Sequence, residues 1–267
     1  MLSESSSGDL ARRVVTTAAE LFCLVGTAVG TGLLGTAIED AGQGSLSAQA
    51  TLVAPAGPAF SIWSVIYLGL FAFTVWQWLP RNAADARLRR LGYLPAASMV
   101  LNAVWILVAQ TGLVWLTAVV IVALLAVLAL IALRLGATGS GRRVETLMVD
   151  GTFGLYLGWV AVATCANLAA ALVDLGVEPG VPVATVLGVV LVAGAVAAAL
   201  ARRFGGRVAV GLAVAWGLVW VAVGRLTDAP QSAPVAVAAL VAAAVALGAV
   251  AWVRLRRDAG TSPPTTG

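Results

Sequence analysis

Histidine and lysine are both absent from this chain of 267 residues, cysteine occurs only twice, and charged side chains make up just 10%. Each absence removes a chemistry. Without histidine there is no imidazole base for a catalytic triad, no His-rich zinc site and no imidazole ligand for haem iron. Without lysine, no glycine-rich stretch can be a phosphate-binding loop of the usual kind. Cys23 and Cys165 lie in separate apolar runs with no CxxC spacing, so they read as small buried hydrophobes, not a disulfide framework or a metal site. The carboxylates are too few and too scattered for an intramembrane transferase or hydrolase. The chain is expected not to be an enzyme, and to carry no cofactor or metal.

What it does have is hydrophobic length. The chain is 61% hydrophobic with a mean hydropathy of +0.99, whereas a soluble domain carries about 25% charged residues. Apolar stretches of roughly 20 residues, the length that crosses a bilayer as a helix, recur along the whole sequence. The expected fold class is all-α, a polytopic integral membrane bundle. The basic pI near 9.8 does not point to nucleic acid, because the arginines sit in short groups between apolar runs.

The runs and their Gly, Pro and Asn breaks predict eight transmembrane helices, at approximately 14–38, 57–79, 92–110, 112–134, 147–173, 181–201, 207–225 and 233–254. Charge placement supports the count. Arginines 12 and 13, 81 to 90, 134 to 143, 202 to 207 and 254 to 257 fall at alternate breaks, while the intervening loops hold Glu39, Asp40, Asp174, Glu178 and Asp228. Arg225 is the one arginine on the acidic side. The positive-inside rule then places the chain in the cell membrane as a multi-pass protein with both termini cytoplasmic. The expected divisions are a disordered N-terminus (1–13), a five-helix membrane domain (14–175), a three-helix membrane extension (176–257) and a disordered tail (258–267). Ala48-Gln49-Ala50 resembles a signal-peptide cleavage site but lies too far past the first apolar run, so the first helix is read as uncleaved.

Polar and aromatic groups recur inside three of these spans. The second carries Phe60, Trp63 and Tyr67 at three- and four-residue spacing, just after Pro55-Ala56-Gly57-Pro58. The third carries Asn102 and Trp105. The fifth carries Tyr156, Trp159, Ala163 and Asn167. Each set shares one helix face, and a polar atom in hydrocarbon needs a partner or a ligand. Two readings stay open. The rings line a cavity or form an interfacial belt, and Trp76 and Trp78 fit the belt well. The asparagines touch a ligand or glue helices together. Glu20 and Asp150 lie within about two turns of arginine groups and read as solvated or paired. The first span's Gly26-x-x-x-Gly30 spacing permits close helix approach, within the bundle or in a homodimer. Trp216 and Trp220 form another one-sided pair, assigned to packing or belt.

These segments resemble the tryptophan-rich sensory protein family, also called TspO/MBR, whose animal members are the translocator protein or peripheral benzodiazepine receptor. Pro55, Gly57, Phe60, Trp63 and Tyr67 are similar to its second-helix motif, Asn102 and Trp105 to its third-helix motif, and Tyr156, Trp159, Ala163 and Asn167 to its fifth-helix motif. The resemblance covers roughly residues 14–175, with three further helices beyond the family's five. It implies a pocket closed by the first connecting loop and lined by Phe60, Trp63, Tyr67, Asn102, Trp105, Tyr156, Trp159, Ala163 and Asn167. The ligand it implies is hydrophobic and planar, above all a tetrapyrrole such as protoporphyrin IX. Ala56 and Pro58 depart from the family pattern. No Tyr followed by Arg or Lys comes after Asn167, so the resemblance does not extend to sterol binding.

The leading expectation is a receptor or sensor of such a ligand, or its carrier across or within the membrane, partnered by that ligand and the bilayer and not by nucleic acid. The alternative is a small-molecule transporter or exporter unrelated to tetrapyrroles, whose mark would be an internal repeat. Residues 181–254 do not repeat the Trp/Asn pattern.

Overall fold

The computed structural model describes residues 6–38, 41–136, 142–177 and 208–260, and it is all-α among them. Among the described residues, six helices are long and apolar enough to cross a membrane, and a shorter apolar helix lies at Leu94–Gln110. Every predicted span therefore has its helix except the one at 181–201, which lies outside the described residues.

Helix α1 spans Ser7–Gly30 and begins well before residue 14, so residues 7–13 are helical rather than disordered. The cause is a capping box. Ser6 Oγ accepts from the Asp9 amide at 3.3 Å, and Asp9 Oδ2 accepts from the Ser6 amide at 3.0 Å. Helix α2 (Ile62–Trp76) follows a 3-10 turn, Gly57–Ser61, with Pro58 in its first positions. The short helix α3 (Ala86–Leu91), among the arginines, was not expected; Asp85 caps it by accepting from the Arg87 and Leu88 amides. Helices α4 (Leu94–Gln110) and α5 (Val114–Leu135) meet in a tight turn that Gly112 makes at φ +76°. Then come α6 (Arg143–Glu145), a π-helical turn (Thr146–Gly151), α7 (Thr152–Asp174), α8 (Val208–Thr227) and α9 (Ala233–Gly260).

The described helices pack in a chain of neighbours: α1 on α4, α4 on α5, α5 on α7, α7 on α8, and α8 on α9, with α2 against α7 and α1. Small residues set the closest approaches. A Cβ added to Gly26 would lie 3.0 Å from Ala103, and one on Gly30 would lie 3.0 Å from Ile106 Cγ2, so the GxxxG face is spent on α4. A Cβ on Gly158 would lie 2.5 Å from the Val210 carbonyl oxygen, which joins α7 and α8 backbone to backbone.

At one end of the bundle, Arg87 binds Asp150 through two bonds of 2.7 and 2.8 Å and Glu145 at 3.2 Å. Burial alone would lower the Arg87 pKa; its hydrogen bonds to the two carboxylates outweigh that and hold it above its ordinary value. Arg142 joins Glu145 to Asp85, and Arg89 reaches Asp9 at 2.6 Å. Asp150 is thus paired, as expected. Glu20 is not: it is 2% exposed and its Oε2 has no hydrogen-bond partner. Trp76 also departs from the belt reading, since it is buried in the core. Trp78 is exposed, with Arg13 over its ring and Thr17 accepting from its Nε1 at 2.9 Å.

Candidate functional site: an aromatic cleft under the first loop

A cleft of about 510 Å³, counting its open mouth, lies between the helices and the loop that joins α1 to α2. The loop supplies one wall, from Ile38 and Ser45 to Pro55. The helices supply the other: Phe60 and Trp63 from the start of α2, Trp105 from α4, and Trp159, Ala163, Ala166, Asn167 and Ala170 from α7. Among the described residues the lining carries no charged side chain, and its few polar side-chain groups are hydroxyls, one amide and indole N–H groups. The enclosed part of the cleft is only about 40 Å³, well below the roughly 300–1,000 Å³ of small-molecule sites, so a ligand of that size requires the loop to move; apolar walls with few polar groups are nonetheless the usual chemistry of such sites.

Six of the nine predicted residues meet here: Phe60, Trp63, Trp105, Trp159, Ala163 and Asn167. Trp63 and Phe60 both turn ring faces or edges toward Trp159, with centroids 6.2 and 5.7 Å away and planes near perpendicular. Edge-to-face contacts of this kind fix aromatic rings without filling the space beside them. Small Ala163 and Ala166 continue the α7 wall past Trp159.

Tyr67, Asn102 and Tyr156 are not in the cleft lining; they lie behind it and hold it in place. Trp63 stacks on Tyr67 at 5.2 Å and meets Tyr156 edge-on at 5.9 Å. Asn102 Nδ2 donates to the Tyr67 hydroxyl at 3.1 Å and to Cys23 Sγ at 3.5 Å, and Tyr156 donates to the Ser98 carbonyl at 3.1 Å. These bonds tie α1, α2, α4 and α7 together beneath the rings.

The two asparagines differ. Asn167 lines the cleft, yet its amide is engaged: Trp105 Nε1 donates to its Oδ1 at 2.9 Å, and its Nδ2 donates to Thr117 Oγ1 at 2.8 Å. It is glue at the edge of a cavity. Asn102 is fully buried away from the cleft, and its Oδ1 has no partner. Trp159 offers the opposite case, a cleft residue whose buried Nε1–H has no hydrogen-bond partner among the described residues.

The sequence reading missed Thr117, one polar residue in the very apolar α5. It also left Arg225 unexplained. Arg225 is 0% exposed and donates to the carbonyls of Ala48 at 2.8 Å, Thr51 at 2.9 Å and Pro230 at 3.0 Å. The one arginine out of step with the charge pattern is therefore a buried structural group, not a loop charge. Trp216 and Trp220 are also placed: Trp216 Nε1 donates to the Ala59 carbonyl at 2.9 Å, and the Ala56 amide donates to the Trp220 carbonyl at 3.1 Å.

A bundle of apolar helices with an aromatic cleft roofed by an interhelical loop defines a multi-pass membrane protein, and the family match supports the sensor or receptor type in general. The chain belongs to the TSPO-like protein family, whose profile matches residues 16–252. That match runs past residue 175, through α8 and into α9, so it covers the C-terminal helices as well as the segment carrying the motifs. No curated protein and no solved structure matches the chain at a significant level.

Proposed function

We propose that the cleft binds a planar, hydrophobic small molecule, a metal-free tetrapyrrole best of all, and that the protein senses or carries this ligand without transforming it. The observation that carries the reading is Trp159: a buried indole N–H with no partner, in a wall otherwise made of rings and small residues. A ligand with an acceptor at the edge of a flat apolar body satisfies that donor while its faces lie against Trp63 and Phe60. Among its described residues the lining has no His, Cys, Met or Tyr, so these offer none of the usual axial ligands to a haem iron. Its described residues also include no cation, so the carboxylates of a tetrapyrrole are read as pointing out through the mouth. The loop from Ser45 to Pro55 acts as the roof that admits and covers the ligand. In this reading both termini face the cytoplasm of the cell membrane, and the cleft opens on the opposite side.

The test is tryptophan-fluorescence quenching of the purified protein titrated with protoporphyrin IX, comparing wild type with Trp159→Phe. Saturable quenching that weakens roughly tenfold in the variant, as loss of one buried hydrogen bond predicts, supports the reading. Quenching that never saturates and is equal in both proteins contradicts it, and favours an exporter of unrelated small molecules.

A further inference from the structure

The segment from Ala48 to Ala59, the end of the roof and the lead into α2, is fastened to one stripe of α8. Trp216, Trp220 and Gly224 recur every four residues, so they share a helix face. Trp216 holds the Ala59 carbonyl and Trp220 holds the Ala56 amide. Gly224 lies so close that an added Cβ would sit 3.3 Å from the Ala56 nitrogen. Arg225, next along, closes the stripe by binding the Ala48 and Thr51 carbonyls.

Arg225 is a costly group to bury. Among the described residues it makes no ion pair, its hydrogen bonds all go to backbone carbonyls with Asp228 acting on it only at longer range, and its Nε has no partner. Burying an arginine this way is unfavourable unless the carbonyls it binds need those donors. Those of Ala48 and Pro230 do, since they lie in irregular backbone; the Thr51 carbonyl, on the cleft wall, also accepts from the Ala54 amide at 3.2 Å. Unpaired carbonyls at that depth would each cost free energy. The planar fork of the guanidinium reaches Ala48, Thr51 and Pro230 at once, which a lysine ammonium cannot match in geometry.

We propose that α8 is the latch of the roof and that Arg225 is its positioning residue, setting how readily the 48–56 segment lifts from the cleft. The C-terminal helices thereby control entry and exit at a site built by the N-terminal ones. The control of ligand exchange rests on the reading of the cleft as a ligand site; the latch itself does not.

Hydrogen–deuterium exchange of the full-length protein in lipid nanodiscs tests the latch without any ligand. In Arg225→Met, which keeps the apolar stem and removes the donors, amides of residues 44–56 are expected to exchange roughly tenfold faster, while α5 and α7 are unchanged. Arg225→Lys is expected to fall between, and it is the variant to read if the methionine protein fails to assemble. In stopped flow, association and dissociation of protoporphyrin IX both speed up with the loop. Loop exchange equal to wild type, in either variant with intact helices, overturns the proposal. Faster loop exchange with no saturable porphyrin binding by wild type leaves the latch standing and removes the tetrapyrrole.

Discussion

The indole N–H of Trp105 on α4 donates to Oδ1 of Asn167 on α7 at 2.9 Å, and the same amide donates onward to Thr117 on α5 at 2.8 Å. Three helices meet at one side chain, on the wall of the cleft. Asn167→Ala breaks both bonds and leaves the Trp105 donor beside the cavity. Interhelical bonds in membranes contribute about 0.6–2 kcal/mol. Thermal unfolding in detergent should show a loss of that size for Asn167→Ala and for Trp105→Phe. The double variant should lose less than the sum of the two.

Tyr67→Phe separates the supporting shell from the cleft. It removes the acceptor of the Asn102 amide while leaving the ring that stacks on Trp63. The expected result is a stability loss of about 1 kcal/mol with ligand affinity within twofold of wild type. A large affinity loss at unchanged stability would place the Tyr67 hydroxyl in direct contact with the ligand.

Gly158→Ala puts a methyl where the α8 backbone already lies, 2.5 Å from the Val210 carbonyl oxygen. Backbone cannot swing aside as a side chain can, so α7 and α8 must separate. A destabilisation of at least about 1–3 kcal/mol follows. Proteolysis should then cut more readily beyond residue 174, and an unchanged unfolding temperature would show that the two helices are not in register here.

Arg87→Met takes from buried Asp150 the cation that binds it through two bonds, while Glu145 keeps Arg142. Breaking a buried pair by removing one partner costs about 3–5 kcal/mol. The variant should fail to accumulate or should unfold at much lower temperature. Removing the carboxylate as well, in Arg87→Met with Asp150→Asn, should recover part of the loss, because an amide has less need of a counter-charge.

Much of this was legible in the sequence, for stated physical reasons. Hydropathy located each described membrane helix, since nothing but length and apolarity is needed to cross a bilayer. The ring and amide motifs located the cleft. Depth was not legible. Residues at four-residue spacing share a face but differ by about 6 Å along the helix. Tyr67 therefore sits a turn below Trp63 and behind the cleft. Tyr156 lies about 16 Å along α7 from Asn167, too far for both to touch one small ligand. The early start of α1 was written in Ser6 and Asp9, but a serine-rich stretch hides a capping box unless the three-residue spacing is checked. Arg225 was visible only as an exception. Its carbonyl partners at Ala48 and Thr51 are more than 170 positions away in the chain, and backbone acceptors leave no sequence signal.

The most direct measurement of the central claim is to fill the cleft. Ala163 lines it, half-buried, on the wall between Trp159 and Asn167. Ala163→Trp places a further indole in the space assigned to the ligand. Protoporphyrin IX titration of the folded variant, checked by circular dichroism, should show saturable binding lost or weakened by more than about tenfold, the scale expected when a ligand must compete with a packed side chain. Saturable binding equal to wild type in a variant with intact helices would contradict the account, because the ligand would then be held somewhere other than beneath the first loop.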